Sequence, residues 1–186
     1  MAGFITRGLE RMNKLLEDLL SFARASRFDS TATEPVSLEK ALQAVRENLK
    51  SEIEKTGAQI TADPLPSVNA QEAHVLMLLQ NLIGNALKYH GQQPPRIRIT
   101  TQQQHDALLI NVTDNGIGVP QEYAGKIFQP FERLHGEEYP GSGIGLATCR
   151  KIVTGYGCRI WVTSKPGCGA TFSFTLPIAQ AQSASA

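Results

Sequence analysis

Between residues 70 and 114 the hydrophobic period of the chain changes once, and that change restricts the fold more than any other feature. From Ala70 to Tyr89 the spacing is helical: Leu79, Leu82, Ile83 and Ala86 share one side, and Asn81, Asn85 and Lys88, four and three apart, share the other. Gly91, Pro94 and Pro95 end that helix. Arg96 to Thr101 and Ala107 to Thr113 then alternate at period two, with Ile97 and Ile99 answered by Leu108, Ile110 and Val112 across a polar turn, which predicts a hairpin.

The flanking segments extend the pattern. Ser37 opens a helix carrying Leu38, Ala41, Leu42, Val45 and Leu49 on one face and running to Gly57, followed by a short strand at Gln59 to Thr61. Residues 114–142 are rich in Gly and Pro, Gly143 to Thr154 reads as a helix, and Arg159 to Ser164 and Ala170 to Leu176 read as strands. Helices and strands mixed in this order predict an α+β domain, a two-layer α/β sandwich with helices over one face of a sheet. No internal repeat is present.

Ahead of this unit Ile5, Leu9, Met12, Leu16, Leu19 and Ala23 follow the alternating four and three steps of a helix that packs in a bundle. The turn to Ser, Thr, Asp and Ala between Ser26 and Pro35 predicts a linker. The expected organisation is therefore a bundle helix at 1–28, a linker at 29–36, the sandwich at 37–178 and a low-complexity disordered tail at 179–186.

Composition excludes some function classes. The net charge is +1 and no dense Lys/Arg run occurs, so nucleic acid is not an expected partner. No apolar run reaches the roughly 18 to 20 residues of a membrane span. Cys149, Cys158 and Cys168 contain no C-x-x-C pair and are odd in number, which points to free thiols and a cytoplasmic setting.

Three clusters carry chemistry. The amide oxygens of Asn81 and Asn85 are neutral hard ligands suited to a Mg2+ already held by phosphates, with Lys88 and Tyr89 able to reach phosphate oxygens; a solvated helix face accounts for the same spacing. Asp114-Asn115-Gly116-Ile117-Gly118 places a carboxylate at a strand end beside glycines that let a flat ring approach, although a D-N-G turn is common. Gly141-Ser142-Gly143-Ile144-Gly145-Leu146 precedes a helix and offers backbone N–H groups to phosphate; a plain glycine-rich loop is the alternative, and the segment is neither a Walker A nor a Rossmann fingerprint.

In order, Asn81 to Lys88, Asp114 to Gly118, Ile127-Phe128-Gln129-Pro130-Phe131, Gly141 to Gly145 and Gly167 to Phe172 resemble the N box, first glycine box, F box, second glycine box and last glycine box of sensor histidine kinases of two-component systems. The resemblance spans Ser37 to Pro177. Arg11 to Leu20 with Phe22 to Arg24 is similar to the second helix of that family's dimerisation and phosphoacceptor domain. Phe131 to Gly136 with Tyr139 to Gly141 is similar to the short lid of the phytochrome-type subgroup.

The resemblance implies the mixed sheet of the histidine-kinase-type ATPase fold, and ATP and Mg2+ as ligands. By it, Asp114 holds the adenine amine with Thr171 nearby, Gly116 and Gly118 make room for the base, and Asn81 and Asn85 position Mg2+ and phosphates, Asn85 being the direct ligand. Lys88 and Tyr89 contact phosphates, and Phe131 to Gly145, including Gly141, Ser142, Gly143, Ile144 and Gly145, closes over them, with Leu146 next to it as a further nucleotide-binding residue. Arg133 is either a phosphate or acceptor-domain contact or an exposed arginine.

The resemblance also implies a homodimeric full-length protein, phosphate transfer to a histidine of a phosphoacceptor domain, and onward passage to a response regulator. His74, His90, His105 and His135 all lack the context of the acceptor, so the acceptor is expected outside this chain. A nucleotide-binding module without transfer activity and an ATP hydrolase are the competing readings. Against hydrolysis, Asn81 stands where the hydrolases of this superfamily carry a glutamate, and an amide is no general base.

Overall fold

Ile97, Ile99, Leu108, Ile110, Val112, Phe172, Phe174 and Leu176 are all buried and share one face of one sheet in the computed structural model of the chain. The structure describes residues 2–25, 34–134, 139 and 141–179, with side chains at 12, 13 and from 15 onward within those spans. Five strands in the order β2-β4-β5-β7-β6 form the sheet: β2 (Gln59–Ala62), β4 (Arg96–Gln104), β5 (Ala107–Asp114), β6 (Ile160–Ser164) and β7 (Ala170–Pro177). The register Ile99↔Val112↔Phe172 and Ile110↔Phe174 keeps the apolar set on one side, because directly paired residues point the same way. β2 runs parallel to β4 and the other pairs are antiparallel, which makes the sheet mixed.

Helices cover the apolar face. α2 (Leu38–Asn48) contributes Leu38, Leu42 and Val45, α4 (Glu72–Lys88) contributes Leu78, Leu79, Leu82 and Ile83, and α5 (Gly145–Gly155) contributes Ile152 and Val153. Burying each such side chain stabilises the fold by about 1.5–3 kcal/mol. Leu82 is fully buried, so Leu82→Ala removes that contribution and leaves a cavity, at a total cost of about 2–5 kcal/mol. The opposite face is held by polar links instead: Asn111 Nδ2 donates to Thr100 Oγ1 at 3.3 Å, and Ser173 Oγ donates to Asn111 Oδ1 at 2.8 Å. The two-layer sandwich expected from the hydrophobic periods is thus the observed architecture.

Several boundaries differ from expectation. The helix expected from Ser37 to Gly57 starts correctly, with Ser37 Oγ accepting from Lys40 N at 3.3 Å, but Leu49 leaves helical geometry (φ −102°, ψ 12°) and α3 (Lys50–Thr56) follows, ended by Gly57 at φ 66°. Glu34–Ser37 forms a strand, β1, which takes residues 34–36 of the expected linker; its remainder, 29–33, lies outside the described residues. Its partner is β3 (Ser67–Ala70), which takes Ala70 from the expected helix and delays the start of α4 to Glu72. Pro35 is accommodated because the two-stranded sheet leaves an edge free of ladder bonds. Gly143, at φ 75°, precedes α5 rather than opening it. Ala179 N donates to Ser67 O at 3.3 Å, and the rest of the expected tail, 180–186, lies outside the described residues.

α1 (Ala2–Arg24) lies against α5, while Met12, Leu16, Leu19 and Leu20 remain half or more exposed. Among the described residues no helix is long and apolar enough to cross a membrane.

Candidate functional site

Asp114 ends β5, where the sheet stops and the chain turns back towards the end of α4. Its Oδ1 accepts from Gly116 N at 2.8 Å and from Ala170 N at 3.3 Å, which fixes the carboxylate between two backbone segments. Burial pushes its pKa above the ordinary aspartate value, and the hydrogen bonds from Gly116 and Ala170 oppose that rise. Asn115 braces the turn by accepting from Arg96 N at 2.7 Å and donating to Pro94 O at 3.2 Å. Ile117 N donates to Tyr89 O at 3.0 Å, tying the turn to the end of α4. Gly116 is required there: a Cβ would clash with the Tyr89 carbonyl oxygen and stand 2.8 Å from Asp114 Oδ1.

The polar face of α4 looks onto the glycine-rich segment before α5. Asn81 faces the start of α5, with its Oδ1 2.8 Å from where a Cβ on Gly145 would stand, and burial pushes the pKa of the Cys149 thiol on the same helix up to about 12. The amide is therefore gripped by α5. Lys88 Nζ donates to the Tyr89 hydroxyl at 2.7 Å and abuts Gly141, while the Tyr89 ring meets the Tyr139 ring at 5.1 Å between centroids. Arg133 Nη2 donates to Tyr139 O at 2.7 Å, and Phe131 N donates to Gly143 O at 3.0 Å, so both ends of the lid are pinned. Residues 135–138, His135 included, and residue 140 lie outside the described residues.

These groups enclose two chambers. One, of about 630 Å³ with its mouth, has Asp114, Gly118, Tyr89 and Asn85 as polar or backbone lining and Ile117, Val119, Ile127, Leu134 and Phe172 among its apolar walls. The other, of about 900 Å³ and more open, is bordered by Asn81, Asn85, Lys88, Tyr89 and the glycine-rich residues Gly141, Ser142, Gly143, Gly145 and Leu146. Asn85, Tyr89, Ile127, Glu132 and Leu146 border both, so the chambers adjoin. The first suits a flat, largely apolar ring system with one amine directed at Asp114; the second suits a chain of anionic oxygens.

Of the residues singled out in the sequence, three do not line either chamber. Gly116 shapes the turn beneath Asp114, Ile144 is buried in front of α5, and Thr171 bonds Thr113 across the strands with the two hydroxyl oxygens 3.0 Å apart. Arg133 borders the first chamber rather than standing on open surface. Sequence reasoning gave no individual role to the apolar walls Val119, Leu134 and Ala170 or to Glu132 between the chambers, although Glu132 and Leu134 stand in the lid segment and Ala170 in the last glycine-rich motif. Val119 directly follows Gly118, and only that nearness could have flagged it. It also missed Asp18, on α1, whose Oδ2 accepts from Ser142 Oγ at 2.5 Å across 124 positions of sequence.

Residues 70–180 match the family model described as histidine kinase-, DNA gyrase B- and HSP90-like ATPase. The chain is 42% identical over 176 residues to cyanobacterial phytochrome A from a Nostoc species, an alignment covering 94% of this chain and 23% of that relative. It spans about a quarter of the length of the phytochromes it matches. Among solved structures, full-length ShkA in complex with AMPPNP superposes with a TM-score of 0.76 at 29% identity, covering 90% of this chain and 36% of that one. The catalytic domain of the histidine kinase ThkA superposes with a TM-score of 0.67 at 27% identity, covering 78% of this chain and 95% of that one.

Proposed function

The chain is a histidine-kinase-type ATPase domain, a member of the histidine kinase-, DNA gyrase B- and HSP90-like ATPase family, and from that premise we propose that it binds Mg-ATP and delivers the γ-phosphate to a histidine of a phosphoacceptor domain outside this chain. The observation that carries the reading is the joining of the two chambers at Asn85, Tyr89 and Leu146: a ring pocket floored by a partly buried carboxylate opens directly onto an amide, lysine and glycine-rich enclosure. That ShkA was solved with AMPPNP supports a nucleotide as the ligand.

In this reading Asp114 accepts a hydrogen bond from the adenine amine, Gly116 keeps the turn tight, and Gly118 leaves the ring room beside the backbone. Thr171 acts at one remove through Thr113 and solvent. Lys88 and Tyr89 meet the phosphates, and Gly141, Ser142, Gly143, Ile144, Gly145 and Leu146 present the loop and the start of α5 to them. Asn85 and, beside it, Asn81 supply amide oxygens to Mg2+. Two neutral amides fit a hard cation that brings phosphate oxygens as its other ligands, and fit poorly a metal held by protein alone. The ion would offset charge on the β- and γ-phosphates.

Transfer forms a bond between the acceptor imidazole nitrogen and the γ-phosphorus as the bond from that phosphorus to the β,γ-bridging oxygen breaks and ADP leaves. The imidazole is itself the nucleophile, so this domain has to position and stabilise rather than abstract a proton. Asn81 agrees with that division of labour: an amide cannot activate water, and the close approach of Gly145 holds it against α5. In the full protein we place the domain in a cytoplasmic homodimer that passes phosphate on to a response regulator. The three free cysteines support a reducing compartment.

Calorimetric titration with AMPPNP, with and without Mg2+, tests the binding half; saturable and magnesium-enhanced binding is expected, and no binding by folded protein refutes it. Incubation with ATP and a separately folded phosphoacceptor domain tests the transfer half. Acid-labile phosphate on the acceptor is expected, and binding without any label would leave a nucleotide-responsive module instead.

A further inference from the structure

Asp18 sits half-buried on α1 and reaches a loop that the site claims for another purpose. Its Oδ2 accepts from Ser142 Oγ at 2.5 Å, and the same hydroxyl accepts from Ile144 N at 3.2 Å. Asp18 borders the phosphate-side chamber. It also borders the cleft between α1, α4 and α5, together with Asn81, Gly145 and Thr148. One helical turn further along the same face, the Phe22 ring lies under Lys151 Nζ of α5 at 4.0 Å. α1 is thus fixed to the loop before α5 and to the middle of α5, and its attachment to Ser142 is a carboxylate.

A serine hydroxyl has one proton to donate. Ser142 can give it to the Asp18 carboxylate or to a phosphate oxygen, and a carboxylate left beside a triphosphate adds like-charge repulsion. We propose that Asp18 is a built-in anionic competitor: it occupies the Ser142 end of the phosphate chamber, so that docking of α1 and binding of the nucleotide's phosphates exclude each other there. The proposal rests on the nucleotide reading above and adds regulation to it. Whatever draws α1 away from α5 raises the affinity for triphosphate, and triphosphate in turn loosens α1, since coupling between two binding events is reciprocal. The adenine side is not involved, because Asp18 does not border the chamber of Asp114.

The test compares the unmodified chain with Asp18→Ala, which keeps α1 helical because alanine has the highest helix propensity, and with Asp18→Asn, which keeps the shape and removes the charge. Mg-AMPPNP and adenosine are titrated calorimetrically into each. The expected result is AMPPNP binding about tenfold tighter in Asp18→Ala, the weight of one hydrogen bond to a charged group, an intermediate gain in Asp18→Asn, and equal adenosine affinity in all three. Equal or weaker AMPPNP binding in Asp18→Ala, with adenosine still bound, overturns the competitor. Failure of every chain to bind either ligand is the distinct result that refutes the nucleotide reading and the competitor with it. Deuterium uptake by amides of residues 12–24 gives a nucleotide-free arm. Asp18→Ala is expected to raise it, and unchanged uptake overturns the latch.

Discussion

Adding one methyl group at Gly116 separates the proposed architecture of the adenine pocket from a looser one. A Cβ at this position would overlap the Tyr89 carbonyl oxygen and stand 2.8 Å from Asp114 Oδ1, where ordinary contact needs about half an ångström more. Neither neighbour yields freely. The carbonyl belongs to the end of α4 and accepts from Ile117 N, and the carboxylate is clamped by Gly116 N and Ala170 N. Overpacking of this kind costs about 1–3 kcal/mol, and loss of the Ile117–Tyr89 bond adds about 1 kcal/mol. Gly116→Ala is therefore expected to lower stability by about 2–4 kcal/mol, which moves a urea midpoint down by about 1–2 M. Because the clash also displaces Asp114, adenosine affinity should fall at least about tenfold in protein that is still folded. Gly125→Ala is the control, since a Cβ there meets nothing within 4 Å; it should stay within about 0.5 kcal/mol of the parent. A Gly116→Ala chain that melts with the control and binds adenosine normally would refute the close-approach argument.

Other perturbations probe separate parts of the molecule. The Tyr156 hydroxyl accepts from Gln71 N at 2.8 Å and meets His74 Nδ1 at 2.8 Å, joining the two ends of α4 and α5, so Tyr156→Phe should cost about 1–3 kcal/mol in a denaturant melt; an unchanged midpoint would count against the bridge. Burial lowers the pKa of His74 below 6.5, so the unfolded chain binds that proton more readily and stability should fall as pH drops below about 6.5; His74→Gln should flatten that part of a stability-versus-pH curve, and an unaltered slope would contradict it. The raised pKa of Asp114 predicts that adenosine affinity declines on acidification before the ordinary aspartate value of about 3.9 is reached, as the carboxylate gains a proton and stops accepting; Asp114→Asn should bind weakly at every pH, and a flat profile in the parent chain down to pH 4 with the fold intact would exclude the role. Asn85→Ala should reduce AMPPNP affinity mainly in the presence of Mg2+, by about tenfold; equal loss with and without the ion would reassign Asn85.

What could be read in the sequence was what local spacing encodes. The two faces of α4 follow from a 3.6-residue period, the hairpin of β4 and β5 from a two-residue one, and Asp114 stood out because a carboxylate at a strand end was followed by glycines. β1 and β3 escaped because strands of four residues are too short to show a period and are stabilised by each other, with Val36 paired to Val68. The break at Leu49 likewise lacks a local marker, since neither glycine nor proline is present. The close approach of Gly145 to Asn81 depends on how α4 meets α5, and the bond between Asp18 and Ser142 joins residues that no window of sequence contains together. Packing decides these features, and packing is set by the whole fold.

β5 and β7 pair from Ala107↔Pro177 to Thr113↔Thr171, yet Thr113 and its neighbour Thr171 are 58 residues apart, with the cover of the pocket strung between them. Within that span α5 and β6 belong to the core, while residues 115–144 lead from β5 to α5 and are anchored at both ends by these packed elements. For a flexible loop, doubling the length adds only about 0.6 kcal/mol of closure entropy, less than the contribution of a single buried leucine. The sheet therefore leaves the cover free to lengthen, shorten or be exchanged at little thermodynamic penalty, which makes it the part of this fold where new behaviour is most readily evolved or engineered.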